Sequence, residues 1–237
     1  MESPATSNPE VLAAIRSELR EHADPARAAA AQAYMRSSLP SLGVRVPEVR
    51  RIAKDAAAAA PFRSGEELRA TVLDLWRHSE VREERYAAID LTANRMVSRD
   101  LHMLAVYEEI IRTGAWWDFV DGVSGRIFGL LQAHREEMTA VLRAWSTDED
   151  FWFRRASIIA QLKAKAATDT ALLAAVIEPN LGDGEFFVRK AIGWALREYA
   201  KTSPDWVAAF VAKHSAVISP LSRREALRRL NGRAARR

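Results

Sequence analysis

"FWFRRASI" (residues 151–158) and "FFVRKAIG" (residues 186–193) are one pattern written twice. Two aromatics, an apolar residue, two basic residues and an alanine recur in the same order at an offset of 35. Asp121, inside "GAWWDFVDGVSG" (114–125), stands 34 residues before Arg155, and Tyr86, beside Arg85, stands 35 before Asp121. A period near 35 with about two helices per period is the mark of HEAT-like and related helical repeats. The punctuation between the repeats agrees. Asn8–Pro9, Asp24–Pro25, Ser203–Pro204 and Ser219–Pro220 each read as an N-cap followed by a first-turn proline. Ser64 with Glu67 has capping-box spacing. Between these starts apolar residues recur every three or four positions, and no segment alternates with period two. The fold class expected is all-α: a helical-repeat solenoid in a single domain over 1–237, with a concave groove and a basic tail from about 221.

In such an array, equivalent positions line up along one surface, so Asp121, Arg155 and the Lys190/Trp194 region are expected to share a groove. Trp117 and Asp121 are four apart and stand on one helical face. An indole seeks burial and a carboxylate seeks water, and a cleft wall satisfies both. The bland alternative makes Trp117 ordinary core and Asp121 a local cap or an ion-pair partner.

Composition narrows the chemistry. The absence of cysteine removes disulfides, zinc–thiolate sites, iron–sulfur clusters and thiol nucleophiles together. The five histidines are scattered without ligand-like pairing, so neither a metal nor a cofactor is expected. The N-terminal stretch has no basic n-region or apolar h-region, and no run approaches membrane-spanning length; a cytoplasmic location without membrane contact is expected. Net charge is +4, but seven arginines lie in 221–237, leaving 28 basic against 30 acidic residues in 1–220, a balance of −2. Any anion-binding surface therefore comes from clusters. One gathers Arg36, Arg45, Arg50, Arg51 and Lys54 against Glu48; another gathers Arg154, Arg155, Lys163 and Lys165 with no acid. Several such clusters point to a polyanion, although each alone reads as a solvated helix face.

The groove would hold Trp117, Asp121, Arg155, Trp194 and Arg197. Planar guanidinium groups match phosphate oxygens, and indole faces suit sugars, bases and cations. One carboxylate among cations stays ionised at neutral pH. Such a set grips a nucleic-acid backbone and places one negative charge near a sugar. Loss of a base from that sugar builds positive charge at the anomeric carbon, which a fixed anion stabilises while orienting water. A base that is already cationic leaves as a neutral group and needs little acid help.

"YMRSSLPSLGVRVPEVR" (34–50), "WWDFVD" (116–121), "FWFRRASIIAQLKAK" (151–165) and "FFVRKAIGWALREYAKTSP" (186–204) occur in this order. Together they resemble the DNA alkylation repair enzyme family, the AlkD-type HEAT-like-repeat DNA glycosylases. The resemblance implies excision of cationic N3- or N7-alkylated purines, such as 3-methyladenine and 7-methylguanine, from duplex DNA by a monomer, leaving an abasic site for base excision repair. It matches Asp121 to the family's catalytic aspartate and Trp117 and Trp194 to the tryptophans packed against the lesion-bearing deoxyribose. It matches Arg155 to a backbone-gripping arginine and Tyr34 to a tyrosine of the N-terminal helices, and Arg197 fits a further phosphate contact. Arg154 and Lys190 are further DNA-binding candidates, each equally able to pair with neighbouring acids. The family acts on sugar and backbone without a base-specific pocket, in contrast to glycosylases that extrude the base. Arg45 departs from the pattern, standing where relatives often carry an uncharged polar residue, and adds backbone or minor-groove attraction.

Other readings stay open at this point: self-resistance against bulky natural-product adducts, a non-catalytic DNA binder of the same fold, and a protein-binding scaffold. Lyase chemistry is disfavoured because "WWDFVD" holds no lysine. Trp76, Trp145, Trp152 and Trp206 read as core, Asp118 as a surface or capping residue, and Tyr199 as an inter-helix hydrogen bonder.

Overall fold

The structure, a computed structural model, describes residues 6–234. The described residues form thirteen α-helices and no strands. The chain divides into two compact units, the first ending at Val106 and the second beginning at Tyr107.

The first unit contains α1 (Pro9–Glu21), α2 (Pro25–Met35), α3 (Val46–Ala59), α4 (Gly65–Arg77) and α5 (Arg82–Leu91). Four expected caps are in place: Asn8 accepts from the N–H groups of Glu10 and Val11, Asp24 from Arg27, Ser64 from Glu67 and Ser219 from Ser222, whereas Ser203 stands at its N-cap position without a side-chain cap bond. The capping box closes one residue early, because the Glu67 carboxylate takes the N–H of Arg63 at 2.6 Å. Val11, Ile15 and Leu19 of α1, Val49 and Ile52 of α3, and Leu68, Val72 and Leu75 of α4 fill the core. Helix α2 buries none of its residues and is held by polar bonds. The Asp24 N–H donates to the Leu42 carbonyl at 2.8 Å, and Arg27 Nε to the Gly43 carbonyl at 3.0 Å. Gly43 has φ +78°, and a Cβ there would lie 2.3 Å from the Asp24 carbonyl oxygen, so only glycine fits. Buried Glu83 accepts from the Ser41 hydroxyl and from the Leu42 and Gly43 N–H groups at 2.7–3.0 Å. Those three donors satisfy the buried carboxylate and anchor the turn that leads to Arg45.

The second unit is a stack of helix pairs. Its helices are α6 (Met103–Gly114), within which the division between units falls, then α7 (Trp117–Ala133), α8 (Arg135–Trp145), α9 (Phe151–Ile159), α10 (Thr170–Ile177), α11 (Phe186–Tyr199), α12 (Pro204–Lys213) and α13 (Pro220–Ala234). The second helices of successive pairs pack side by side, α7 on α9, α9 on α11 and α11 on α13. Phe119, Val123 and Ile127 of α7, Phe153, Ala156 and Ile159 of α9, and Val188, Ile192 and Leu196 of α11 are buried between them and their partners. Burying one such large side chain is worth about 1.5–3 kcal/mol. The sequence period is visible as bonds between neighbouring repeats. Arg135 donates to Asp169 at 2.6 Å and Asn180 to the Ser146 carbonyl at 2.8 Å, each across 34 residues. This is the HEAT-like arrangement that the doubled pattern predicts.

Trp76, Trp145 and Trp152 lie in the cores as expected, whereas Trp206 is half-buried, stacked on Phe210 and met edge-on by Tyr199. The described part of the basic tail is helix α13, packed against α11 and α12. It comes close to α11 at Gly193, where a Cβ would fall 2.5 Å from Glu225 Cβ. Of the seven tail arginines, Arg223, Arg224 and Arg228 have described side chains; those at 229, 233, 236 and 237 lie outside the described side chains. No helix among the described residues is long and apolar enough to cross a membrane.

Candidate functional site

The site is assembled from the second helices of the second unit. Helix α6 ends at Gly114, and Ala115 follows in the left-handed region at φ +40°, which costs a non-glycine residue about 1–2 kcal/mol. This reversal sets Trp116 in extended backbone as the N-cap, so α7 begins at Trp117 and places Asp121 one turn further on. The two adjacent tryptophans part company. Trp116 joins an aromatic cluster, 6.3 Å from Trp152 and edge-on to Phe187 at 5.7 Å. Trp117 stays out of the core and is half-buried, as is Asp121.

Asp121 is bound by Arg155 through both of its oxygens. Arg155 Nε donates to Oδ1 and Nη2 to Oδ2, each at 2.8 Å, while Nη1 donates to the Phe187 carbonyl at 2.8 Å. One salt bridge thus ties α7 to α9, and the same guanidinium ties α9 to α11. The pair is largely out of water, with side chains 17% and 6% exposed for Asp121 and Arg155. Burial raises the Asp121 pKa above its ordinary value; the hydrogen bonds and charge of Arg155 oppose this, and the Asp118 charge adds to the rise. Because both oxygens accept charged N–H donors, the arrangement suits the carboxylate form.

Arg155 is therefore placed differently from a surface phosphate grip. It is a buried clamp, with one N–H left over on each terminal nitrogen. The bland alternative for Asp121, an ion-pair partner, is realised in this bond, which leaves its carboxylate only slightly exposed; the bland alternative for Trp117, ordinary core, is not.

On α11, Trp194 is half-buried between Lys190 and Arg197, four residues before it and three after. Both cations are engaged by Glu225 of α13, Lys190 at 3.5 Å and Arg197 through a close ion pair. Glu225 is a residue that sequence reasoning missed. Its signal was available, since the step from Asp121 to Arg155 to Lys190, continued by 35, arrives at Glu225.

The other candidates have other partners or belong to the first unit. Arg154, one residue from the clamp, turns to Asp183 at 3.1 Å and to the carbonyls of Asp148 and Glu149. Lys163 and Lys165 line a separate cavity of about 530 Å³ at the C-terminal ends of α9 and α11, together with Lys201. Tyr34, 74% exposed in the last turn of α2, and Arg45, the exposed N-cap of α3, belong to the first unit. The cationic cluster around them is partly neutralised, because Arg50 meets Asp90 and Arg51 meets Glu48 and Asp55.

Comparison with known proteins is consistent with these elements. A family model described as DNA alkylation repair enzyme matches residues 15–230. A structure described as a predicted DNA alkylation repair enzyme from Enterococcus faecalis is 30% identical, covering 87% of this chain and 95% of that one, with a TM-score of 0.77. AlkD2 from Streptococcus mutans is 18% identical over 77% of this chain and 89% of its own, with a TM-score of 0.60, a likeness of fold alone. No curated protein matches the chain. A model spanning nearly the whole sequence, and a relative of this identity over most of it, place the chain in the DNA alkylation repair enzyme family.

Proposed function

We propose that this protein is a monofunctional DNA glycosylase that hydrolyses the N-glycosidic bond of cationic N3- or N7-alkylated purines in duplex DNA. The observation that carries the reading is the Asp121 carboxylate, 17% exposed and held through both oxygens by a buried arginine, one turn from a half-buried tryptophan. Membership of a DNA alkylation repair family supports the substrate class.

The chemistry follows from charge. As the C1′–N bond stretches, its electron pair goes to the base and cancels the base's formal positive charge, while positive charge grows on C1′ and the ring oxygen. Asp121, with its hydration reduced by burial, faces that cation and stabilises it more than a fully solvated carboxylate would. A water molecule donating to Asp121 attacks C1′ and passes its proton to that carboxylate, which returns it to solvent, so the products are a free alkylpurine and an abasic sugar with a hydroxyl at C1′. Trp117 and Trp194 wall the sugar, and Arg155 fixes the carboxylate so that no reorganisation is needed in the transition state. Lys190 and Arg197 meet backbone phosphates. The test is release of free 7-methylguanine or 3-methyladenine from alkylated duplex DNA, with the abasic strand as second product. A non-catalytic binder shifts the duplex but releases no base.

A further inference from the structure

A second cationic feature lies outside the Asp121 site. Between the loop preceding α11 and the start of α13 is an open cavity of about 870 Å³. Arg189 of α11 and Arg223 and Arg224 of α13 line it. None of the three forms an ion pair among the described residues, and Arg189 Nε is buried with no hydrogen-bond partner among them. The one acid of the lining, Asp183, is already answered by Arg154 at 3.1 Å and accepts the Glu185 N–H at 2.8 Å. Three unneutralised guanidinium groups therefore share one concavity on a chain whose other arginines around the candidate site are paired.

The walls are rigid. The Ser222 hydroxyl donates to the Arg189 carbonyl at 2.9 Å, the Ser219 N–H to the Leu181 carbonyl at 3.2 Å, and α11 meets α13 closely at Gly193. Like charges held together on fixed backbone raise the local potential and reward a counter-charge. Planar guanidinium forks suit the non-bridging oxygens of a phosphodiester.

We propose that this cavity is a second DNA-contact site, in which Arg189, Arg223 and Arg224 seat a backbone phosphate of the duplex. The ligand class rests on the DNA reading above; the site itself does not depend on glycosylase chemistry. A phosphate seat carries no sequence information and sets register on the duplex. It also assigns a role to the first turn of the arginine-rich helix rather than to its end.

The experiment measures affinity of the full-length protein for a short undamaged duplex by fluorescence anisotropy, across a salt series. Each phosphate that is no longer neutralised makes the slope of log K against log salt less negative by about 0.9. Arg223→Ala with Arg224→Ala is expected to flatten the slope by about 1–2 on this basis. Arg143→Ala, removing an exposed charge from α8 of the same unit, is the control and is expected to leave the slope in place. Val217→Asp introduces a carboxylate at an exposed rim position without removing any arginine, and is expected to weaken binding as well. An unchanged slope in the double variant, or equal flattening in the Arg143 control, overturns the proposal. A melting shift with inorganic phosphate that the double variant loses, beside an unchanged duplex slope, assigns the cavity to a free anion and also overturns it. If the wild-type protein binds duplex through these arginines yet releases no base from alkylated DNA, the glycosylase reading falls and the cavity stands.

Discussion

Asp121→Asn separates the two roles that the salt bridge allows this residue. The substitution keeps shape and removes charge. In the native site two N–H donors of Arg155 meet two anionic oxygens, both at 2.8 Å. In the variant one oxygen remains to accept, and the new amide sets N–H against N–H. Losing a charge-assisted hydrogen bond costs about 1.5–3 kcal/mol, more so because Arg155 is buried. For a chain of this size a loss of 1 kcal/mol lowers Tm by about 2–4 °C, so a fall of roughly 5–10 °C is expected. The effect on rate is separate. A carboxylate about 4 Å from a developing cation gains roughly 4 kcal/mol at an effective dielectric of about 20. The transition-state charge is partial, which brings the expected loss to about 10²–10³ in rate. Single-turnover base release on defined lesion duplexes, run well below the variant's Tm, reads this directly, and anisotropy reads binding. Affinity is expected to hold or rise slightly, since a negative charge near phosphates has gone. A lower Tm with wild-type release on every lesion would refute the catalytic reading and leave Asp121 as a structural counter-ion for Arg155.

The remaining expectations follow from single contacts. Burial raises the Asp121 pKa above its ordinary value, so the site takes up a proton at a higher pH than a free aspartate does. Base release that needs the anion should therefore fall, on the acid side, at a higher pH than an ordinary aspartate would give; a pH–rate profile with no such limb contradicts this. Glu225→Gln releases Lys190 and Arg197 from their common partner, and should tighten duplex binding and steepen its salt slope by up to about 1 per newly freed cation. An unchanged slope would show that neither cation reaches the backbone. Gly193→Ala drives a Cβ against Glu225 Cβ and the Ser222 carbonyl, and should destabilise by about 1–3 kcal/mol in thermal melts. Gly125→Ala, mid-helix in α7 with nothing within 4 Å of the new methyl, should stabilise by about 0.5–1 kcal/mol.

The helices and their stacking were legible in one dimension because both are short-range or periodic. A side chain of Asn8, Asp24 or Ser64 caps whatever follows it within three residues, and a first-turn proline needs no distant partner. The 34- and 35-residue steps are legible for a related reason. Stacked pairs bring residues one period apart into contact, so Asp121 finds Arg155 and Ser146 finds Asn180. Spacing alone also put Trp117 and Asp121 on one face.

Spacing is silent about how far apart two helix surfaces lie and which rotamer crosses the gap. Arg154 and Arg155 are neighbours in one basic run, yet one turns to Asp183 and the other is buried against Asp121 and the Phe187 carbonyl. That choice is made by the packing of α7, α9 and α11. The left-handed Ala115 that sends Trp116 into the aromatic cluster and leaves Trp117 half-buried has no glycine to announce it. Glu225 reads in the sequence as a lone acid in an arginine tail; Gly193 lets α13 approach α11 closely enough for that one carboxylate to meet both Lys190 and Arg197. Local sequence dictates where helices start and which face is apolar; the pairing of charges across those faces is decided by interhelical distance, a property of the packed core.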